Sequence, residues 1–420
     1  MNSLDDRKSY FNLKSLSWLH LYFLVVIVIS FSLRLYLASK LEGFNRDQLF
    51  FVDWMETVRK YGLGDVYAYG DMVNYPPFFL ALLGIYGDIL SFFNIHVETA
   101  GVLIRIPSIL FEVIAIFIFI VASKKLGNPI IRAILVTFLA FNPAVIVDGT
   151  IWGQVDMLHS ILMVSAILLL ISNPVWSGML YAVALLAKFQ SIVIAPVFAI
   201  FFLKVIFERK EFKQLFRYIL GFCIPLLIFG CYFAAHGTFN AMLNQAYLSA
   251  VGTFPAVTVN AMNIWYYVIG TTPDMLDTIK ILPHLNLKGV GLLLLSIAVA
   301  LICIYVFFNR QSNTLVLLKA ATFICFAFFM LPTEMHERYS FPALVFAVFV
   351  LLYDVKWTGI VFGLTVTIFL NLVMVLYTSP NTNMGMFVVT CNCLIFYSMG
   401  KLLLKDYCSH IDLLLTDHKG

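Results

Sequence analysis

Thirteen apolar runs follow one another along this chain, at 18–38, 76–93, 101–123, 129–147, 156–171, 175–188, 190–206, 216–235, 288–308, 313–331, 338–353, 357–377 and 385–404. A helix needs roughly 20 apolar residues to cross a bilayer, and most of these runs approach that length. Lipid supplies no hydrogen bonds to a backbone, so runs of this kind fold as helices that satisfy their own peptide groups. The expected fold class is therefore an all-α polytopic membrane protein. The composition agrees: 61% of the 420 residues are hydrophobic and 12% charged, against about 25% charged in a soluble domain. The net charge of +4 makes no case for nucleic acid as a partner. Six of the seven cysteines lie in apolar runs and none forms a C-x-x-C pair, which reads as buried structural thiols.

The first run, Trp18–Leu37, follows Arg7, Lys8 and Lys14 and is too long for a signal-peptide core. It reads as a retained span with its amino end in the cytoplasm. Runs 76–93 and 175–188 are marginal in length. If 76–93 crossed, Lys124 and Lys125 would face outward, against the later basic loops. If it lies in the interface, those lysines face inward together with Arg209, Lys210, Lys213, Arg217, Arg310, Lys356, Lys401 and Lys405, as positive charge prefers. The expectation is one domain over 1–420: a bundle of about twelve transmembrane helices over 17–404, both termini inside. Interfacial helices occupy the first outer loop, 39–100, and a second outer loop covers 236–287.

On that topology the polar chemistry gathers on the outer side. Thr333-Glu334-Met335-His336-Glu337-Arg338-Tyr339-Ser340-Phe341-Pro342 packs acids, a histidine and an arginine between two apolar runs. Charges at such a place must face water, pair with one another, or bind something. Arg338 is a phosphate clamp by chemistry, since a guanidinium matches phosphate oxygens bidentately. Glu334 and His336 are candidate ligands for a divalent metal ion, although two groups at i and i+2 are a weak signal. Asp47 precedes Phe51 and Trp54 on one face of a short amphipathic helix; it either caps that helix or serves as a general base. Asp53 reads as solvated. Asn74-Tyr75-Pro76-Pro77 marks a helix start. Arg105 either snorkels or holds an anion.

Asp148 to Asp156 makes a tight turn carrying Trp152 and Gln154, with Trp152 either a flat platform for a sugar ring or an interfacial anchor. Lys188-Phe189-Gln190 offers a cation for a phosphate or a snorkelling lysine at a kink. Trp265, Tyr266 and Tyr267 suggest an interfacial helix lining an acceptor cleft. No Walker loop or G-x-G-x-x-G motif occurs.

These residues, in this order, resemble one family. Asp47 with Phe51 and Trp54, Tyr75-Pro76-Pro77, Arg105-Ile106-Pro107, Asn142-Pro143, Trp152-Gly153-Gln154-Val155-Asp156, Lys188-x-Gln190 with Ala195-Pro196, and His336-Glu337-Arg338-Tyr339-x-Phe341-Pro342 resemble the bacterial and archaeal relatives of the GPI-anchor mannosyltransferases. These belong to the polyprenyl-phosphate-sugar-dependent (GT-C) glycosyltransferases. The resemblance covers roughly 17–404. It implies a GT-C-like bundle and an inverting transfer of a hexose, often mannose, from a polyprenyl-phosphate donor to a glycan or lipid-linked acceptor on the non-cytoplasmic face. It implies Asp47 as general base and Asp156 as a second, supporting acid. Arg338, Arg105 and Lys188 are then the candidates for the donor phosphate, and Trp152, Gln154, Gln190, His336, Glu337 and Tyr75 for the substrates. In one respect the chain departs from relatives with Lys before Pro-Pro: here that residue is Tyr75. The alternatives are a transporter or flippase of a lipid-linked saccharide, and an O-antigen polymerase or ligase. The first would place its charges on broken helices at mid-membrane. The second carries an arginine-rich outer loop, and 236–287 contains no arginine. The absence of N-x-[ST] sites and of an endoplasmic-reticulum retrieval tail leans towards a bacterial inner membrane, and the resemblance then implies an active site on its periplasmic face.

Overall fold

The protein is described by a computed structural model covering residues 6–70, 72–98, 101–249, 252–269, 275–309, 313–378 and 382–417. Arg310, counted above among the inward basic residues, lies outside them. Fourteen helices of ten residues or more carry the architecture. They are α1 (Asp6–Lys40), α2 (Asn45–Tyr61), α3 (Pro77–Phe92), α4 (Ile106–Ala122), α5 (Pro129–Ala140), α6 (Asp156–Leu169) and α7 (Pro174–Ala187). They continue with α8 (Ala195–Arg209), α9 (Phe212–Ala235), α10 (Leu287–Phe308), α11 (Thr314–Met330), α12 (Phe341–Val350), α13 (Thr358–Tyr377) and α14 (Thr382–Asp417). Among the described residues the strands are one short antiparallel ribbon, Lys280–Leu282 with Leu285–Asn286.

The starts of these helices follow from their residues. Proline stands in the first turn of α3, α4, α5, α7, α8 and α12, where its missing N–H costs nothing. Asn128, Asn286 and Asn313 each accept backbone N–H bonds at the heads of α5, α10 and α11.

Among the described residues, eight helices are long and apolar enough to cross a membrane, and five shorter apolar ones correspond to the remaining runs. The chain is a multi-pass, all-helical membrane protein. Besides the two runs expected to be marginal, 156–171, 313–331 and 338–353 also give short helices. The reason is visible in α11 and α12. All ten residues of α12 are buried, and most of α11 is, so this pair fills the bundle interior while its ends unwind into polar segments.

The first outer loop carries α2, whose buried face is Gln48, Phe51, Trp54, Met55, Thr57 and Val58. The expected amphipathic face exists, but its aromatics pack inward: Phe51 and Trp54 stand against Tyr75 at ring separations of 5.7 and 5.3 Å. Asp53 is exposed, as read from the sequence. In the second outer loop the expected interfacial helix is a single turn, Tyr266–Ile269. Trp265 is buried there and donates its indole N–H to the Leu331 carbonyl at 2.7 Å. It braces the chain just before Thr333 and does not line the cavity described below.

Candidate functional site

Asp47 sits in the first turn of α2 but does not cap it, because the helix has no side-chain cap. Its carboxylate reaches across to the turn before α6. That turn is a π-helix, Ile146–Trp152, closed by Gly153 at φ 91, a conformation that favours glycine. The sharp reversal aims two side chains at one carboxylate oxygen. Trp152 donates its indole N–H to Asp47 Oδ2 at 2.9 Å, and Gln154 donates its amide to the same atom. The Gln154 amide is itself oriented by the Tyr75 hydroxyl, 3.1 Å from its oxygen. Gln48, one residue on, ties α2 to the Trp152 carbonyl at 2.9 Å.

The third partner arrives from the loop between α11 and α12. Arg338 Nη1 lies 3.6 Å from Asp47 Oδ2 and 2.7 Å from Glu337 Oε1. Its Nε lies 3.9 Å from Asp156 Oδ2. Asp156, at the head of α6, is buried against Lys188 and has His159 Nε2 at 3.5 Å. Lys188 occupies the break between α7 and α8, where an extended backbone (φ −155, ψ 128) turns its side chain inward. Residues 47, 156, 188, 337 and 338 thus form one charged cluster, although the chain separates its ends by almost 300 positions.

Electrostatics fix the protonation of the loop. Burial works against the charge on Arg338, but Asp47 and Glu337, with Tyr75 and Asp156 behind them, hold its pKa well above the usual arginine range. Burial raises the Glu337 carboxyl, and Arg338 opposes it. Burial and the nearby Arg338 and Lys188 push His336 well below its ordinary 6.5, so its ring is neutral at pH 7.

The cluster forms part of the wall of a cavity of about 560 Å³. Of the residues picked out from the sequence, Asp47, Tyr75, Trp152, Gln154, Lys188, Gln190, Glu334, His336, Glu337 and Arg338 line it. Asp156 lies just beneath its floor, in contact with Arg338 and Lys188. Arg105 does not line it. Its guanidinium donates to the carbonyls of Ala38 and Leu41 at 3.1 and 2.7 Å, clasping the end of α1. An arginine between apolar runs fits this use as well as an anion site, and here the exposed carbonyls of a helix end claimed it.

Trp152 also differs from expectation. It is 1% exposed, stacked on Phe44 at 4.8 Å, with Arg338 5.7 Å from its ring centroid. It is a buried hydrogen-bond donor to Asp47, neither an open sugar platform nor an interfacial anchor. The metal pair is likewise otherwise engaged. Glu334 accepts from Lys288 Nζ at 2.7 Å and from the Gly252 N–H at 2.9 Å, while His336 packs edgewise on Phe254. A cation already seated on Glu334 is a poor start for a metal site. No group of three or more acidic, histidine or cysteine side chains with metal-ligand spacing occurs among the described residues.

Two cavity cations, Arg46 and Lys288, are not among the residues expected from the sequence. Each lining cation except Arg46 has a carboxylate partner: Lys188 has Asp156, Lys288 has Glu334, and Arg338 has Asp47 and Glu337. Arg46 is exposed and makes no hydrogen bond or ion pair among the described residues. Its place beside Asp47 on the exposed first turn of a helix looks like an ordinary solvated charge, so no pattern in the chain marks it out. No protein-family model and no curated protein matches this chain.

Proposed function

We propose that the protein is a GT-C membrane glycosyltransferase. It moves a hexose, with mannose the first candidate, from a polyprenyl-phosphate donor to a glycan or lipid-linked acceptor, with inversion. The reading includes about twelve crossing helices and a site on the outer face of a bacterial inner membrane. The observation that supports it most is that Arg338, on the cavity wall, lies against both Asp47 on the same wall and Asp156 beneath the floor, since these come from three distant segments. Asp47 and Asp156 sit in the first turns of α2 and α6 and Arg338 in the loop before α12, where a transporter would hold such charges on broken helices at mid-membrane.

The chemistry assigns roles as follows. Two hydrogen bonds and the Arg338 guanidinium, 3.6 Å away, converge on Asp47 Oδ2, which leaves Oδ1 without a hydrogen bond among the described residues. Oδ1 takes the proton of the acceptor hydroxyl as that oxygen attacks the anomeric carbon. The bond from that carbon to the phosphate oxygen breaks on the opposite side, and polyprenyl phosphate leaves with its electron pair. A phosphate needs no protonation to depart, so cations suffice to stabilise it. Arg338 and Lys188 are already committed to carboxylates, so Arg46 joins them as a cation for the incoming phosphate, and Arg105 drops out. No step uses a metal.

The test is transfer by purified protein from radiolabelled undecaprenyl-phosphate mannose into a membrane lipid and glycan extract. The expected result is label in a product of inverted anomeric configuration, together with released polyprenyl phosphate. Movement of the intact donor across vesicles without cleavage would identify a transporter instead.

A further inference from the structure

Behind Arg338, between the cavity floor and α6, lies a second, small chamber of about 10 Å³. Its walls include Asp156, His159, Gln190, Cys325 and Arg338. Three polar atoms of these walls are buried and make no hydrogen bond among the described residues: Asp156 Oδ2, Arg338 Nε and Gln190 Oε1. They come from the head of α6, the loop before α12 and the break after α7. Arg338 Nε and Asp156 Oδ2 are 3.9 Å apart, too far for a direct hydrogen bond. Buried polar groups in folded proteins are almost always satisfied, and where protein cannot reach, ordered water does so.

We propose that this chamber binds one structural water molecule that joins Asp156 to Arg338 and Gln190. Size and valence both match. About 10–15 Å³ is the space one water requires, and a buried water wants two to four polar partners. Here it accepts one hydrogen bond from Arg338 Nε–H and donates its two protons, one to Asp156 Oδ2 and one to Gln190 Oε1. Every orphaned atom is then paired, and no proton is left over.

The water gives Asp156 and Gln190 a positioning role. Neither touches Asp47, yet both hold the inner edge of the guanidinium through the water, which keeps Nη1 turned toward Asp47. This inference rests on packing and hydrogen-bond valence alone, so it stands or falls separately from the transferase reading.

The experiment is a structure of the purified protein at a resolution where other buried waters are seen. The expected result is a density peak within about 3.2 Å of all three atoms. A map showing other buried waters but none here, or Arg338 Nε bonded directly to Asp156 Oδ2, would overturn the proposal. Two variants sharpen it. Cys325→Met extends a side chain into the chamber and should expel the water, so that Arg338 closes on Asp156 and leaves Asp47. Cys325→Ser should keep the water and the native Arg338 conformer. An unmoved Arg338 in Cys325→Met, with the water gone, would refute the positioning role.

Discussion

The two ends of the α11–α12 pair carry charge in different ways. At the loop between them, Glu337 and Arg338 join Asp47 and Asp156 beside a cavity of about 560 Å³. About 17 Å away along α11, by its rise per residue, Lys319 binds Asp354 at 2.6 Å and Asp406 at 2.5 Å. Both clusters gather partners far apart in the chain. The second borders neither of the two cavities described above, and its lysine spends itself on two carboxylates. It ties the start of α11 to the end of α12 and to α14. Among the described residues, the first leaves a carboxylate oxygen without a hydrogen bond and has Arg46 unpaired nearby. A charge cluster inside a membrane bundle is therefore evidence of a reaction site only where it borders space and leaves valence unspent.

The largest expected effect lies at the open oxygen. Asp47→Asn should lower turnover of undecaprenyl-phosphate mannose by roughly 10²–10⁴-fold, with donor binding within twofold of wild type in a filter assay. Full activity in that variant would remove the base and leave the two clusters functionally alike.

The comparison is tested directly by Arg338→Ala against Lys319→Ala. Removing Arg338 leaves Asp47 and Glu337 without their cation and should weaken donor binding by tenfold or more, and by more than Asp47→Asn does. Breaking a buried pair costs about 3–5 kcal/mol, and the partial exposure of Asp354 and Asp406 reduces this to about 1–3 kcal/mol for Lys319. Lys319→Ala should therefore melt earlier while its turnover per folded molecule is unchanged. A loss of donor affinity there would erase the distinction.

A smaller effect belongs to Arg46. Arg46→Ala should raise the donor KM by about three- to tenfold at low ionic strength, with no change in melting temperature. The difference should shrink in high salt, because exposed charges are screened. Equal KM values at low salt would return the phosphate to Arg338 and Lys188.

Much of this was legible beforehand, and the exceptions share a physical cause. Length and apolar continuity locate thirteen of the fourteen helices, because lipid leaves the backbone no other option, and α2 shows itself by its amphipathic face instead. The order of Asp47, Trp152-Gly153-Gln154, Lys188 and His336-Glu337-Arg338 singled out the lining of one cavity. What a linear pattern lacks is direction. It could not say that Trp152 turns its N–H to Asp47, that Arg105 turns to the end of α1, or that Lys288 pairs with Glu334 across 46 positions. Each outcome depends on which unsatisfied group lies nearest in three dimensions.

The last prediction concerns pH and His336. Its folded pKa is depressed, first by burial and then by Arg338 and Lys188. Above about pH 6.5 the ring is neutral whether the loop is folded or open, so it contributes no slope. As pH falls below that value the open form takes up a proton and the folded form does not. Stability then declines by at most about 1.4 kcal/mol per pH unit, until the folded pKa is reached. Glu337 acts with the opposite sign, since its raised pKa favours the folded, protonated form in acid. The wild-type melting curve therefore mixes the two. The informative quantity is the difference between wild type and His336→Gln, measured by thermal unfolding from pH 8 to pH 5. That difference should be flat above pH 6.5 and move in favour of the variant below it. A difference flat throughout would mean that the ring reaches water freely, and the loop would then be less closed than the Arg338 cluster requires.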